Sequence, residues 1–216
     1  MINLPTKLGC DRIQRLTGTA LVGVSVLVLG LTFFPVLREE AKYQFLPSQE
    51  HKTVISRMDE RAQTIPSQVL LPVSEEFGIV IPKIGANARV IPDVDWEDGA
   101  VYQRALTEGV AHARGTAKPG ERGNVFLFSH SGVDFLEANR YNALFYLIDK
   151  LNPGDDIVVF FEGQKFEYRV VEKKKVAPEE LEYLKGSEDQ KTLTLMTCWP
   201  AGTTLQRLLV IAQQVE

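Results

Sequence analysis

Thr192-Leu193-Thr194-Leu195-Met196-Thr197-Cys198 is the stretch that decides how this chain of 216 residues reads. Threonine and apolar side chains mix over its first six positions as in a strand, and a thiol closes the run. A second apolar run, Leu205 to Ala212, follows a loop from Cys198 to Thr204 that holds Pro200 and Gly202. If the two strands pair antiparallel, Cys198 and Arg207 face each other near one rim, although nine residues separate them. A lone thiol opposite a fixed cation is a place for nucleophilic chemistry.

Working back from that pair, the region from Phe77 onward is built of short β-prone runs. Phe77 to Ile81 and Ala88 to Ile91 are separated by Pro82 and Gly85, and Val101 to Leu106 predicts a helical turn. Val125 to Ser129 reads as a buried strand that delivers His130, and Asn139 to Leu151 carries apolar residues at helical spacing until Pro153-Gly154 ends it. Ile157 to Phe161 and Lys165 to Val171 flank Glu162-Gly163-Gln164 as a hairpin. Lys173-Lys174-Lys175 then opens a connection to Gln190 that reads as a solvated loop, with a helical turn near Glu179 to Leu184. Many short strands with one or two short helices predict a mainly β barrel or sandwich.

Outside this region the chain changes character. Leu16 to Leu37 is a run of 22 residues without a charge. At 1.5 Å per residue it matches the roughly 30 Å apolar layer of a bilayer. No small-residue cleavage site follows it, so it is expected to be an uncleaved transmembrane anchor. Residues 1–15 would then be a cytoplasmic N-terminus, 38–76 a polar, proline-punctuated stalk and 77–216 the catalytic domain. Cations flank the span on both sides (Lys7, Arg12 and Arg15 before it; Arg38, Lys42, Lys52 and Arg57 after it), so the positive-inside rule does not decide the orientation. A single crossing would place Cys10 and Cys198 on opposite sides of the membrane, leaving Cys198 unpaired within the chain.

Net charge is −4, with sixteen cations against twenty acids over residues 77–216. That balance, with no basic stripe, argues against nucleic acid as the partner. The acids at Asp93, Asp95, Glu97 and Asp98 read as a solvated loop more readily than as a calcium site. No cofactor is expected, and calcium stays an open alternative.

His130 also closes a strand, and if that strand runs parallel to the cysteine strand the imidazole reaches the same rim. The trio is chemically coherent. A thiol with an ordinary pKa of about 8.5 needs a neighbouring imidazole or cation to react as thiolate. Histidine moves the proton that acyl transfer requires, and arginine offers permanent donors to a carbonyl and the oxyanion that forms from it. Each residue also has a plainer reading: a small core cysteine, a strand cap and a solvated surface charge.

Thr194-Leu195-Met196-Thr197-Cys198 resembles the TLxTC signature of the sortases, membrane-anchored cysteine transpeptidases of bacterial surfaces. Arg207-Leu208-Leu209-Val210 is similar to the arginine-bearing strand that follows it. Gly109-Val110-Ala111-His112, Gly115-Thr116, Gly120 and Gly123-Asn124-Val125, ending in Ser129-His130, resemble the approach to the family's histidine. The resemblance runs from about Phe77 to Val215 in the right order. It implies a closed eight-stranded β-barrel and a ping-pong transpeptidation at the cell surface. Cys198 would attack the Thr–Gly carbonyl of an LPxTG-like sorting signal, His130 would protonate the departing amine, and Arg207 would hold substrate and oxyanion with Thr197 in support. The substrate-contacting loop would lie between Lys173 and Gln190, with Val176, Pro178, Leu181 and Leu184 as apolar contacts. Implied partners are surface proteins with a C-terminal sorting signal, and an amine acceptor such as a peptidoglycan precursor or a pilin-like lysine. No second apolar run follows the last strand, which sets the expectation against the usual layout of pilus-polymerising members.

Two other readings compete. His112-Ala113-Arg114-Gly115-Thr116 and Ser129-His130-Ser131-Gly132 superficially match motifs of the L,D-transpeptidases. That chemistry needs a cysteine directly after the second element, and position 133 is valine. The other reading is a membrane-tethered barrel that binds peptides in the same groove without turnover.

Overall fold

The computed structural model describes residues 16–28, 30, 71–131, 144–186 and 189–215. The chain divides into two compact units, Met1–Phe45 and Leu46–Glu216. In the first, residues 16–28 are helical with exposed side chains. Among the described residues no helix is long and apolar enough to cross a membrane. Residues 29 and 31–37 of the expected anchor and 38–70 of the expected stalk lie outside the described residues.

Among its described residues the second unit is a closed barrel of eight strands with two short α-helices, the mainly β architecture that the resemblance implied. In chain order the elements are β1 (Phe77–Ile81), β2 (Ala86–Val94), α1 (Gly99–Glu108), β3 (Val110–Ala113), β4 (Gly123–Phe128), β5 (Asp156–Phe161), β6 (Gln164–Val176), α2 (Glu182–Lys185), β7 (Lys191–Trp199) and β8 (Gln206–Gln214). Around the barrel the order is β1-β2-β3-β4-β7-β8-β6-β5, closed by β5 against β1. Two neighbouring pairs are parallel, β2 with β3 and β4 with β7. Parallel neighbours need a crossover, and α1 supplies the first. Its start is set by Asp98, whose carboxylate accepts from the backbone N–H groups of Ala100 and Val101.

Period-two alternation fills the barrel. Ile79, Val125, Leu127, Ile157, Val159, Leu193, Leu195, Leu208 and Val210 are fully or almost fully buried in one continuous core. The opposite faces of β3, β4 and β7 carry a second cluster, in which Ala111, Ala113, Phe126, Phe128 and Met196 pack with Ala105 and Leu106 of α1. The β5–β6 hairpin turns through Glu162 and Gly163, both with positive φ (50° and 75°), as a two-residue turn of the primed type that matches strand twist.

Two sequence expectations change. The helix expected over Asn139 to Leu151 falls partly on residues 132–143, outside the described residues. The described remainder forms turns and a 3-10 helix at Ile148–Lys150. Its apolar side chains bury Phe145, Ile148 and Leu151 in the barrel core, so the apolar spacing reports a core plug and not a regular helix. Lys173, Lys174 and Lys175 do not form a solvated loop, because β6 continues to Val176 and pairs all three with β8. Lys173 Nζ donates to the carbonyls of Asp149 and Leu151, while Lys174 and Lys175 lie over the rings of Tyr183 (4.0 Å) and Trp199 (4.2 Å). The acids from Asp93 to Asp98 stay at the surface as expected, and there Asp98 caps α1 and Asp95 pairs with Arg114 at 2.8 Å.

Candidate active site

β4 and β7 lie side by side in parallel, with Asn124 opposite Thr192, Phe126 opposite Thr194 and Phe128 opposite Met196. Alternation puts Phe126 and Phe128 on the outer face of the barrel with Met196. Two residues further along each strand, the same parity delivers His130 and Cys198 to that face. The alignment is held past the end of β4 by the Ser129 N–H, which donates to the Met196 carbonyl at 3.2 Å. Thr197 Oγ1 donates to the Ser129 carbonyl at 2.9 Å. Thr197 is 2% exposed, and its hydroxyl proton is committed to this tie between β7 and β4.

On the other side of β7, β8 is antiparallel with Cys198 directly paired to Arg207. Beyond β8, Val176 of β6 pairs with the same arginine. Cys198 is a half-buried free thiol, and Arg207 is half-buried with Nη1 donating to the carbonyls of Thr204 and Gln206. His130 Nε2 stands 3.1 Å from Oε1 of Gln103 on α1. Across this contact Nε2 can donate to the amide oxygen, which only accepts.

His130, Cys198 and Arg207 open onto one cleft of about 330 Å³. Phe126, Phe128 and Met196 form its floor. Trp96, Tyr102 and Gln103 stand on the α1 side, and Val176, Pro178, Leu181, Tyr183 and Leu184 form the wall between β6 and β7. All four apolar residues proposed from sequence as substrate contacts therefore line the cleft. Such an apolar trough with few polar groups at one end suits an extended peptide. At that end a thiol, an imidazole and a guanidinium can serve as nucleophile, proton carrier and oxyanion donor.

Sequence reading missed the floor and the α1 wall. Phe126 and Phe128 look like plain core residues in an apolar run, and only the burial of Val125 and Leu127 inside the barrel reveals that their neighbours face out. Gln103 has no sequence signal, because its contact with His130 exists only once α1 packs on β3 and β4.

His112 is a different histidine. It is fully buried on β3, where Nδ1 accepts from the Asp93 N–H at 3.3 Å and Nε2 faces the Ala117 carbonyl at 3.0 Å. Burial pushes its pKa below the ordinary 6.5, against the Ala117 hydrogen bond and the Asp93 carboxylate, which pull it upward. It does not line the cleft.

Comparison with known proteins gives the family and its fold. The sequence model of the family described as "Sortase domain" matches residues 79–215. Sortase D of Bacillus subtilis (strain 168) is 24% identical over 138 residues, covering 62% of this chain and 61% of that relative, so the match spans less than two thirds of its length. The Clostridium perfringens Sortase D5 transpeptidase structure is 28% identical with a TM-score of 0.53, covering 65% of this chain and 79% of that one. A Clostridium perfringens sortase C solved with the C-terminal cell wall sorting motif is 30% identical with a TM-score of 0.54, covering 64% of this chain and 69% of that one.

Proposed function

Because this chain belongs to the sortase family, we propose that it is a cysteine transpeptidase that cleaves an LPxTG-like sorting signal and passes the acyl group to an amine. The observation that carries the reading is the register across three neighbouring strands. Cys198 is paired with Arg207 on one side, and parallel β4 brings His130 level with it on the other.

In the first half-reaction Cys198 passes its thiol proton to His130, and Sγ attacks the Thr–Gly carbonyl carbon as a thiolate. The C–N bond breaks, and His130 gives its proton to the departing amine, leaving a thioester on Cys198. In the second half-reaction an amine attacks that thioester, its proton passes to His130, and the thiolate leaves as the new amide forms. Arg207 supports both steps, since a guanidinium offers five N–H donors in a plane and two hold backbone carbonyls here. Thr197 supports the reaction indirectly by keeping β7 in register with β4. Gln103 keeps the His130 ring oriented.

A peptide fits the cleft because its floor and walls are apolar and aromatic, leaving orientation to the polar end. The sortase C solved with a sorting motif supports a substrate of that class. The substrates would be surface proteins with C-terminal sorting signals, and the acceptor a peptidoglycan precursor or pilin-like amine. The apolar run from Leu16 to Leu37 would anchor the enzyme in a bacterial membrane with the barrel outside.

The test is a peptide-library cleavage assay with and without added amines, read by mass spectrometry. Amine-dependent products that vanish in Cys198→Ala are expected. Release to water alone would make the protein a hydrolase, and binding without turnover a peptide-binding barrel.

A further inference from the structure

The outer face of β4 and β7 has a third zone beyond the chemistry and the floor. Asn124 sits there at 2% exposure, with both atoms of its amide engaged. Oδ1 accepts from the hydroxyls of Thr192 at 3.1 Å and Thr194 at 2.9 Å. Nδ2 donates to the backbone carbonyls of Tyr183 at 2.8 Å and Leu184 at 3.3 Å. Backbone carbonyls only accept, so the amino group must face them and the amide has one orientation. Tyr183 and Leu184 belong to α2, and their side chains line the cleft.

Among the described residues, the other hydrogen bonds of the segment from Ala177 to Gly186 lie within it. Among the described residues, the side-chain hydrogen bonds that reach it from a barrel strand are the two from Nδ2 of Asn124. Gly186 shows how close the approach is. It has φ +59°, and an added Cβ would lie 2.5 Å from Asn124 Cβ and 3.4 Å from Thr192 Oγ1.

We propose that Asn124 is a positioning residue: by pinning α2 it holds the wall of the peptide cleft in place and so sets substrate affinity without touching the substrate. The proposal rests on the peptide-cleft reading above. If the wall is held only part of the time, apparent affinity falls by the fraction of molecules that are competent, while the chemistry at Cys198 is untouched.

Asn124→Asp is nearly isosteric. It keeps an acceptor toward the two threonines and replaces the donor toward Tyr183 and Leu184 with an oxygen. With a quenched Leu-Pro-Glu-Thr-Gly peptide, KM should rise about tenfold while kcat stays within about twofold. Hydrogen exchange across 177–186 should speed up in the same variant. Thr192→Val leaves Nδ2 and its carbonyls alone, so it should lower the melting temperature and leave KM near wild type. Gly186→Ala forces the segment away from Asn124 and should repeat the KM effect if Asn124→Asp does not fold. A wild-type KM in both Asn124→Asp and Gly186→Ala would overturn the proposal, as would an equal KM rise in Thr192→Val. Should the wild type not turn over the peptide, exchange still decides: unchanged protection over 177–186 in Asn124→Asp overturns the pinning.

Discussion

The two faces of β4 and β7 are built from alternate residues of the same strands, yet they behave as two different regions. Inward, Val125, Leu127, Leu193 and Leu195 are sealed inside the barrel at 0–1% exposure. Outward, the same strands present Asn124 with Thr192 and Thr194, then Phe126, Phe128 and Met196, then His130 and Cys198. The inner face is closed on itself and serves stability. The outer face is covered at one end by α2 and on its flank by α1, and stays open where the reactive groups lie. One stretch of chain can therefore carry a core and a site at once, because a strand sends successive side chains to opposite faces.

This contrast can be broken most sharply at the reactive end. Cys198→Ala and His130→Ala should each reduce peptide turnover to background while leaving the melting temperature near wild type. Full activity in His130→Ala would remove the imidazole from the reaction. Arg207→Lys comes next, with an expected loss of about 10²–10³ in kcat/KM, since a point charge does not replace a planar set of donors. Wild-type turnover in that variant would reduce Arg207 to a surface cation.

The inner face should respond in the opposite way. Leu195→Ala removes a side chain with 0% exposure and should cost about 2–5 kcal/mol in a denaturant titration, with the KM of the folded fraction unchanged. A large KM change there would mean that the two faces are coupled. A smaller effect is expected at Gln103→Ala, about tenfold in kcat, from a less oriented His130. Gln103→Glu sharpens the point, because a carboxylate beside the imidazole raises its pKa and should move one limb of the pH–rate profile upward.

The smallest effect belongs to His112, the histidine that the fold buries. Its native pKa is lowered, so between that value and 6.5 the unfolded chain binds the proton more readily. Its contribution to stability is complete above about pH 6.5 and is lost as pH falls through the lowered native value. Asp93, Lys118 and Glu121 are the charges that act on it. Denaturation midpoints from pH 8 to 5 should fall less steeply in His112→Gln than in wild type, while that variant keeps much of its peptide turnover. Identical slopes would show that burial does not control its titration.

Legibility in the sequence follows the range of the interactions. The runs that became β1, β4, β5, β7 and β8 were visible because alternation and apolar content are local. β3 carries no strand pattern of its own, since four residues, Val110–Ala113, are too few for one and pairing with β2 and β4 defines them. Lys173 to Lys175 misled for the converse reason. Their charge suggests solvent, but pairing with β8 and the rings of Tyr183 and Trp199 makes a strand with snorkelling stems. At the site, Cys198, His130 and Arg207 were nameable because few residue types do this chemistry. Asn124 and Gln103 were not, because an amide acquires a role only from what it touches.

By itself the sequence determined the strand run that ends in Cys198, the arginine nine residues beyond it and the apolar character of the wall residues. Those properties are local, set by residue type and spacing of two along a strand. The tertiary structure alone decided that β4 lies parallel to β7, that His130 shares the outward parity of Cys198, and that Asn124 reaches α2 across 59 residues of chain. Such pairings are chosen by the closure of the whole barrel, where every strand must find two neighbours and one buried face.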